Sequence, residues 1–219
     1  MRTDWYFLRH GETDYNRKTL MQGHIDIPLN DNGRRQAREA RDELKKQRLS
    51  FQHIYSSTLD RAAETGEIVT DRARQDFSLD PRLIEMGFGG WEGISYVEGG
   101  PEILRLNDDP EHYIPPKGGE SFEDVYQRAS DFIRDLKRAA APGGDDAGGN
   151  VLIATHGCTL RSILRVLSGL PLRDFWTVKV GNCDMFHYAV EDGVIRECPM
   201  VLRHQDPFDP HFIEYHKNS

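Results

Sequence analysis

The sequence predicts an α/β fold of three layers, α/β/α, with helices on both faces of a mostly parallel central sheet. Segments typical of strands alternate along the chain with segments typical of helices, which is the pattern of layered α/β domains. The segment 150–155, NVLIAT, carries a continuous apolar run, as strands in the middle of a parallel sheet do. At 219 residues, 37% of them hydrophobic, the chain has the size of one domain, and we expect a single domain over 1–219.

The first half of the chain is predicted to form two strands and two helices in alternation. A helix can begin at Asn30 and Asp31, because these residue types cap helices well. Its apolar residues recur at helical spacing: Ala37, Ala40 and Leu44. The predicted strands are 4–8 and 53–57, and the predicted helices are 30–47 and 59–73.

The second half continues this alternation and ends in a hairpin. The stretch Ser121–Asp124 resembles a capping box and begins a long helix, whose apolar face is Val125, Ala129, Phe132, Ile133 and Leu136. The Gly-rich stretch 141–149 is expected to be a flexible surface loop. The strand 150–155 and a helix over about 159–167 follow it. Asp192-Gly193, between two alternating segments, predicts a β-hairpin.

Composition limits the partners and the location of the protein. The formal net charge of −8 argues against nucleic-acid or anionic-membrane binding, because such proteins present an excess of Lys and Arg. Cys158, Cys183 and Cys198 show no CxxC spacing, and the sequence shows no signal peptide and no membrane span. We therefore expect a cytoplasmic protein without a nucleic-acid or membrane partner. The sequence leaves its oligomeric state open.

Two of the predicted strands end in the same dipeptide, His10-Gly11 and His156-Gly157. Ligands of open α/β sheets bind beyond the carboxyl ends of the strands, so the two histidines can converge on one site. Glycine permits close approach of the backbone to a ligand. Arg9 adds a planar fork of donors that suits phosphate oxygens. Together these features indicate a phosphate pocket.

Several ordered motifs resemble those of the histidine phosphatase superfamily, also called the phosphoglycerate mutase-like family. They cover nearly the whole chain in the family's order: LRHGET at 8–13, Asn16, QG at 22–23, YSSTLDRAAET at 55–65, Glu85 before GFGGWEG, GGES at 118–121 and ATHG at 154–157. A lone RHG would be a weak signal, but this ordered set is a specific one. The resemblance implies a phosphoglycerate mutase-like fold.

The resemblance also implies a role for each matching residue. His10 would be the nucleophile that becomes phosphorylated, and Glu85 would be the proton donor. Arg9, Arg61 and His156 would hold the transferring phosphoryl group. The implied substrate-binding residues are Arg9, Asn16, Gln22, Gly23, Arg61, His156 and Gly157. No metal and no cofactor are implied, and the implied partner is a small phosphorylated substrate.

These residue types are suited to phosphoryl transfer. The guanidiniums of Arg9 and Arg61, with an imidazolium at His156, could stabilise the charge of the transition state without a metal. Histidine attacks as a neutral imidazole, and nearby cations would lower the pKa of His10. We expect a backbone carbonyl to fix its tautomer. Glu85 must donate a proton, a task suited to a carboxyl group whose pKa is raised by partial burial.

Three functions remain open at this stage. Hydrolysis of a small phosphomonoester is favoured. A cofactor-dependent phosphoglycerate mutase would use 2,3-bisphosphoglycerate and needs extra cations for a second anionic group. The stretch 86–120, expected to be a lid over the pocket, has only two, Arg105 and Lys117, against seven acids: Glu92, Glu98, Glu102, Asp108, Asp109, Glu111 and Glu120. A non-catalytic phospholigand-binding module would be marked by loss of His10, Glu85 or His156, and all three are present.

Other candidate residues are given structural roles. Ser57 is expected to be a turn or strand-end residue, Trp91 to pack under a loop, and Cys158 to be a small buried residue. The spacing of His204, His211 and His216 does not suggest a metal site.

Overall fold

The central sheet has six strands in a computed structural model that describes residues 1–203. The strands are β1 (Arg2–Arg9), β2 (His53–Ser56), β3 (Ser78–Leu79), β4 (Asn150–Thr155), β5 (Met185–Glu191) and β6 (Val194–Leu202). Their order across the sheet is β3-β2-β4-β1-β5-β6. The first four pair in parallel, whereas β5 pairs antiparallel with both β1 and β6. The prediction of a mostly parallel sheet is therefore confirmed, and β5 and β6 form the predicted hairpin.

Within residues 1–203, six α-helices connect and cover the strands. They are α1 (Asp14–Arg17), α2 (Asp31–Lys46), α3 (Asp60–Thr70), α4 (Pro101–Asp108), α5 (Phe122–Ala139) and α6 (Gly157–Ser168). Short 3-10 helices lie at Arg74–Asp76, Pro81–Leu83, Gly89–Trp91, Pro110–His112 and Leu172–Thr177. The sequence did not predict these short helices, nor the two-residue strand β3, because each is too short to show a periodic pattern.

Helices pack on both faces of the sheet, as predicted. Successive side chains of a strand point to opposite faces, so Trp5 and Phe7 join a cluster with α5 and α6, whereas Tyr6 and Leu8 join a cluster with α2 and α3. Both sets are fully or almost fully buried. Burial on both faces explains why the central strands are continuously apolar.

Local capping explains where the helices begin. The side chain of Asn30 accepts a hydrogen bond from the backbone N–H of Gly33 at the start of α2, and Ser121 and Asp124 form a reciprocal capping box at the start of α5. Helix α6 begins at Gly157, earlier than the predicted 159, and His156 is its N-cap residue. The second His-Gly dipeptide, His156-Gly157, therefore lies at the N-terminus of α6.

Helix α3 ends before the predicted residue 73. Its last residue is Thr70, because Asp71 adopts a left-handed conformation with φ of 53°. Aspartate tolerates this conformation better than most residues. The sequence pattern did not show this end, since no Gly or Pro follows at once.

The segment 86–120 has its own small core. Its apolar side chains pack with α5 and with the segment around Phe175, and Trp91 lies edge-on against Tyr113 with ring centroids 6.0 Å apart. Trp91 is thus a packing residue, as expected. The flexibility of the 141–149 loop stays a prediction. The loop is anchored where Tyr55 donates a hydrogen bond of 3.1 Å to buried Asp146.

Two further sequence predictions concern a metal site and a membrane span. The three histidines that were predicted not to form a metal site, His204, His211 and His216, lie outside the described residues. Across residues 1–203, no helix combines the length and the apolar character needed to cross a membrane.

Candidate active site

The two His-Gly dipeptides lie side by side because strands β1 and β4 are neighbours. Arg9 pairs with Thr155 in the parallel register, so His10 and His156 each follow the end of an adjacent strand. The centroids of their rings are 5.1 Å apart. The predicted convergence of the two histidines at the carboxyl edge of the sheet is therefore what the structure shows.

His10 is held as a neutral imidazole with one defined tautomer. Its Nδ1 lies 2.7 Å from the carbonyl oxygen of Gly11, and since a carbonyl only accepts, Nδ1 carries the proton and Nε2 keeps its lone pair. The side chain is 2% exposed. Burial lowers the pKa of His10 well below its ordinary value, and the guanidiniums of Arg61 and Arg9 lower it further. Nε2 is thus prepared for nucleophilic attack.

Gly11 is required by the close approach of two backbone segments. A Cβ atom at this position would lie 2.6 Å from the carbonyl oxygen of Gly33, in the first turn of α2. The N–H of Gly11 donates to Oγ1 of Thr65 on α3. The loop after β1 is therefore held between α2 and α3, which fixes the position of His10.

Arg61 lies behind the histidines and does not line the pocket. Its side chain is 0% exposed, and it donates from Nε to Nδ1 of His156 (3.2 Å). Its terminal nitrogens donate to the carbonyl oxygens of Gly23 and Ile25, each at 2.8 Å. Burial lowers the pKa of Arg61 to about 10, so the guanidinium stays charged at neutral pH. It ties the loop after Gln22 to the base of the site.

His156 is neutral, contrary to the expectation of an imidazolium. Its Nδ1 accepts from Arg61, so Nε2 carries the proton and donates to Oγ of Ser57 at 2.7 Å. Burial lowers the pKa of His156 well below its ordinary value, and the charge of Arg61 lowers it further. The expectation was wrong because Arg61, which was expected to hold the phosphoryl group together with His156, donates a hydrogen bond to the His156 ring instead. Ser57 is the partner of this histidine.

A cavity of about 100 Å³ opens in front of His10. Seven of the residues predicted for the site line it: Arg9, His10, Asn16, Gln22, Gly23, Glu85 and Gly157. Arg61 and His156 lie beneath it. The structure thus gathers all nine predicted residues around one site, but divides them between the pocket wall and a buried support.

Arg9 points a guanidinium edge toward the pocket. One terminal nitrogen donates to the carbonyl oxygen of Val180 at 2.6 Å. Within residues 1–203, its Nε is buried without a hydrogen-bond partner. A buried unpaired donor is costly unless a ligand satisfies it, so this atom is a candidate contact for an anionic oxygen.

Glu85 sits at the N-terminus of α6. Its Oε1 accepts backbone hydrogen bonds from Met86 (2.9 Å), Cys158 (3.1 Å) and Thr159 (3.2 Å), and the side chain is 8% exposed. Its Oε2 lies 3.6 Å from the point that a Cβ of Gly157 would occupy. Oε2 also lies 3.3 Å from the Cys158 N–H, which donates to it, so both oxygens are held at the helix N-terminus while Glu85 lines the pocket.

Arg128 on α5 positions the loop that carries Glu85, and the sequence did not identify it. Its guanidinium donates to three successive parts of that loop, the carbonyl oxygens of Arg82 (2.7 Å), Ile84 (2.7 Å) and Glu85 (3.1 Å). It also forms an ion pair with Glu120 at 3.0 Å. An arginine on an amphipathic helix normally faces solvent, so no sequence signal marked it.

Asn182 and Arg161 are two further pocket residues that sequence reasoning missed. Asn182 donates to the carbonyl oxygen of His10 at 2.9 Å, from the loop before β5, and nothing in the sequence placed that loop here. Arg161 lies one turn after Gly157 on α6. Its spacing from the second His-Gly was a usable signal, because residues four apart share a helix face.

Cys158 lies in the pocket wall as a buried residue, as expected. Burial raises the pKa of its thiol well above the ordinary value, and the charge of Glu85 raises it further. A protonated thiol is a poor nucleophile, so the position gives no competitor to His10.

Comparison with known proteins agrees with these features. The chain is 37% identical to a glucosyl-3-phosphoglycerate phosphatase of Mycolicibacterium vanbaalenii, over 80% of this chain and 77% of that protein. It is 28% identical to phosphoserine phosphatase 1 of Hydrogenobacter thermophilus, covering 84% and 83%. It is also 30% identical to a 2,3-bisphosphoglycerate-dependent phosphoglycerate mutase of Parvibaculum lavamentivorans, covering 90% and 95%.

A solved structure supports the same assignment. The native structure of a mycobacterial glucosyl-3-phosphoglycerate phosphatase matches with a TM-score of 0.73 at 27% identity, over 90% of this chain and 97% of that one. The family model for the histidine phosphatase superfamily (branch 1) matches residues 5–197. That range contains both His-Gly dipeptides, Arg61 and Glu85. The chain therefore belongs to the histidine phosphatase superfamily, branch 1, and is a phosphatase of that family.

Proposed function

We propose that this phosphatase hydrolyses a small phosphorylated metabolite through a phosphohistidine intermediate on His10. The observation that carries the proposal is the state of the His10 ring. Its Nδ1 proton is held by the Gly11 carbonyl at 2.7 Å, and its low pKa keeps the Nε2 lone pair available. A nucleophile that is neutral, oriented and next to cationic side chains is suited to attack a phosphoryl group.

The reaction proceeds in two displacements. In the first, Nε2 of His10 bonds to phosphorus while the bond to the ester oxygen breaks, and Glu85 gives its proton to the leaving alkoxide. In the second, Glu85 takes a proton from water as the water oxygen attacks phosphorus, which releases inorganic phosphate and free His10. Arg9 binds phosphoryl oxygens in both steps, since it lines the pocket and its Nε has no hydrogen-bond partner among residues 1–203.

Hydrolysis is favoured over mutase turnover by the position of the lid cations. Arg105 is exposed and lines a separate cavity with Trp91, Glu102, Ile114, Pro115 and Pro116. Lys117, which follows Pro116, is also exposed. A mutase must hold a second anionic group of a bisphosphorylated intermediate while excluding water. Neither Arg105 nor Lys117 lines the cavity in front of His10, where such a group would have to be held.

Further properties follow from this proposal. The segment 86–120 acts as a lid, because Phe88, Tyr96, Leu106 and Asn107 contribute to the pocket wall. Catalysis does not require a metal, because guanidiniums take the role of a cationic clamp. A reducing cytoplasmic location is consistent with three cysteines that are all free thiols.

The direct test is to trap the intermediate. Wild-type protein mixed with a phosphorus-labelled phosphomonoester and quenched with alkali should retain the label, and acid should remove it, because phosphohistidine is acid-labile. His10→Ala should retain none and release no phosphate. His112→Ala, which changes an exposed histidine, is the matched control and should behave as wild type. A label on Cys158 or on a serine would refute the proposal, as would activity that is lost in EDTA and restored by Mg²⁺.

A further inference from the structure

His24 lies where the pocket wall meets the loop that carries Glu85. It follows Gln22 and Gly23 in the chain, and both of these residues line the cavity. Nε2 of the His24 ring lies 2.9 Å from the carbonyl oxygen of Glu85. Because a carbonyl oxygen only accepts hydrogen bonds, Nε2 carries the proton and is the donor. The pocket wall is thus joined by a side-chain hydrogen bond to the backbone of the proposed proton donor.

The carbonyl oxygen of Glu85 accepts hydrogen bonds from two different parts of the fold. Besides His24, Arg128 on α5 donates to it from a terminal nitrogen at 3.1 Å. A carbonyl oxygen has two lone pairs, so these two donors satisfy it. Rotation of this peptide group would break both hydrogen bonds and would also turn the backbone from which the Glu85 side chain extends. The two donors therefore restrain the direction of that side chain.

The carboxylate of Glu120 lies next to both donors. Its Oε2 is 3.1 Å from a terminal nitrogen of Arg128 and 3.6 Å from Nε2 of His24. The same oxygen accepts the backbone N–H of Gly87 at 2.8 Å. The Glu120 carboxylate raises the pKa of His24, so the ring keeps its positive charge to a higher pH than a free histidine does. Glu120 thus holds the two donors and the start of the 86–120 segment together.

The backbone and the ring of His24 are each held by a separate contact. Its N–H donates to Oε1 of Glu92 at 2.9 Å, and the Phe88 N–H donates to the same oxygen at 3.1 Å. A Cβ on Gly87 would lie 3.0 to 3.4 Å from three atoms of the imidazole ring, so the ring packs directly on the Gly87 backbone. These contacts define the position from which Nε2 reaches the Glu85 carbonyl.

We propose that His24 is a positioning residue for Glu85, and that its hydrogen bond to the Glu85 carbonyl keeps the carboxyl group in place to protonate the leaving oxygen. This role rests on the proposed phosphatase function, in which Glu85 is the general acid. In the described chain His24 is not among the residues that line the cavity, so it acts through Glu85 and not on the reacting atoms. Its loss must therefore affect protonation of the leaving group more than binding of the substrate.

Two leaving groups separate this role from mere support of the pocket wall. His24→Leu removes the donor and keeps a side chain of similar size. In single-turnover rapid-quench experiments, it should slow phosphoenzyme formation from an alkyl phosphate by about tenfold, the scale of one lost positioning hydrogen bond. Formation from p-nitrophenyl phosphate should slow by less than about twofold, because nitrophenolate leaves largely without a proton. The substrate concentration that gives half the maximal rate should stay unchanged for both.

Further variants test the hydrogen bond itself. His24→Gln offers an amide N–H near the position of Nε2, so it should bring the alkyl phosphate rate back to within about threefold of wild type. Gly87→Ala leaves His24 unchanged, but its methyl group would meet the ring at 3.0 Å, so it should slow the alkyl phosphate more than p-nitrophenyl phosphate. His112→Leu is the matched control, because His112 is an exposed histidine of the 86–120 segment that also contacts a carboxylate, that of Asp109. It should leave both rates unchanged.

The possible outcomes lead to different conclusions. If wild-type protein forms no phosphoenzyme and releases no phosphate, the proposed function fails, and this role of His24 fails with it. If wild type reacts but His24→Leu slows both substrates by the same factor, or mainly raises the half-saturating concentration, His24 supports the pocket wall and the positioning proposal is wrong. A His24→Gln variant that is no faster than His24→Leu would also refute it. If His24→Leu does not fold, the ratio of the two rates in Gly87→Ala decides, and an unchanged ratio overturns the proposal.

Discussion

At the scale of single residues, the site separates the groups that react from the groups that hold them. His10 and Glu85 line the cavity, whereas Arg61 and His156 lie beneath it and are joined by a hydrogen bond. This division explains the low pKa of both histidines, because each is buried beside the charge of Arg61.

Glu85→Gln tests whether Glu85 is the general acid. Glutamine keeps the size of the side chain and accepts the same backbone N–H groups, but it has no proton to transfer. Formation of the phosphoenzyme from an alkyl phosphate should slow by about 10²- to 10⁴-fold, the usual contribution of general acid catalysis. Formation from p-nitrophenyl phosphate should slow far less, because nitrophenolate leaves largely without a proton.

Single-turnover kinetics provides the measurement, since in the proposed mechanism Glu85 is also the base of the second step and would mask the difference at steady state. Equal losses with the two substrates would mean that Glu85 only orients the pocket. The proton donor would then have to be sought elsewhere in the pocket wall.

The sequence predicted which residues converge where motif and strand end coincide, and it failed where position depends on packing. His10 and His156 could be predicted because each follows an apolar strand and precedes a glycine. Arg128 could not, because its role depends on how α5 lies against the loop at 82–85. The charge state of His156 could not be predicted either, since it depends on the hydrogen bond that Arg61 donates to Nδ1 of the ring.

At the scale of elements, two helices act on Glu85 from different sides. The N-terminus of α6 donates backbone N–H groups to its carboxyl group, and α5 provides Arg128, which holds the backbone before it. The length of α6 therefore has a functional consequence. Had it begun at 159, as the sequence suggested, the N–H group of Cys158 would lie outside its first turn.

Arg128→Lys should disturb the placement of Glu85 without removing the positive charge from α5. Lysine cannot reproduce a guanidinium that donates to several carbonyl oxygens at once. The rate of phosphoenzyme formation from an alkyl phosphate should fall by about tenfold, with a smaller loss for p-nitrophenyl phosphate, because only the first needs the proton of Glu85. Rapid-quench measurement of both rates checks this ratio.

Arg134→Lys is the control, since Arg134 lies on the same helix and pairs with Asp131 on the exposed face. It should leave both rates unchanged. An Arg128→Lys variant that slows both substrates by the same factor would contradict a role through Glu85 and indicate a general loosening of the loop.

At the scale of the whole molecule, burying the site creates a dependence of stability on pH. His10 and His156 bind protons in the unfolded chain below about pH 6.5, but burial lowers the pKa of both in the folded protein. The unfolded state therefore takes up protons first, and the free energy of unfolding decreases as pH falls below about 6.5. His24 acts in the opposite direction, because the Glu120 carboxylate, 3.6 Å from its Nε2, raises its pKa. Its contribution is complete below pH 6.5 and is lost as pH rises through that raised value.

His10→Asn isolates one of these contributions. Once the unfolded chain is protonated, each histidine that stays neutral in the folded protein makes the free energy of unfolding fall by about 1.4 kcal/mol per pH unit. Removing His10 should therefore make the slope between pH 6 and pH 5 shallower by about that amount, whatever the variant does to stability at neutral pH. Urea unfolding in a phosphate-free buffer at closely spaced pH values gives the slopes. His112→Asn is the control: Asp109 raises the pKa of exposed His112, so its removal cannot make the slope shallower. Equal slopes for His10→Asn and wild type would mean that His10 is protonated in the folded protein, which is incompatible with its proposed role as the nucleophile.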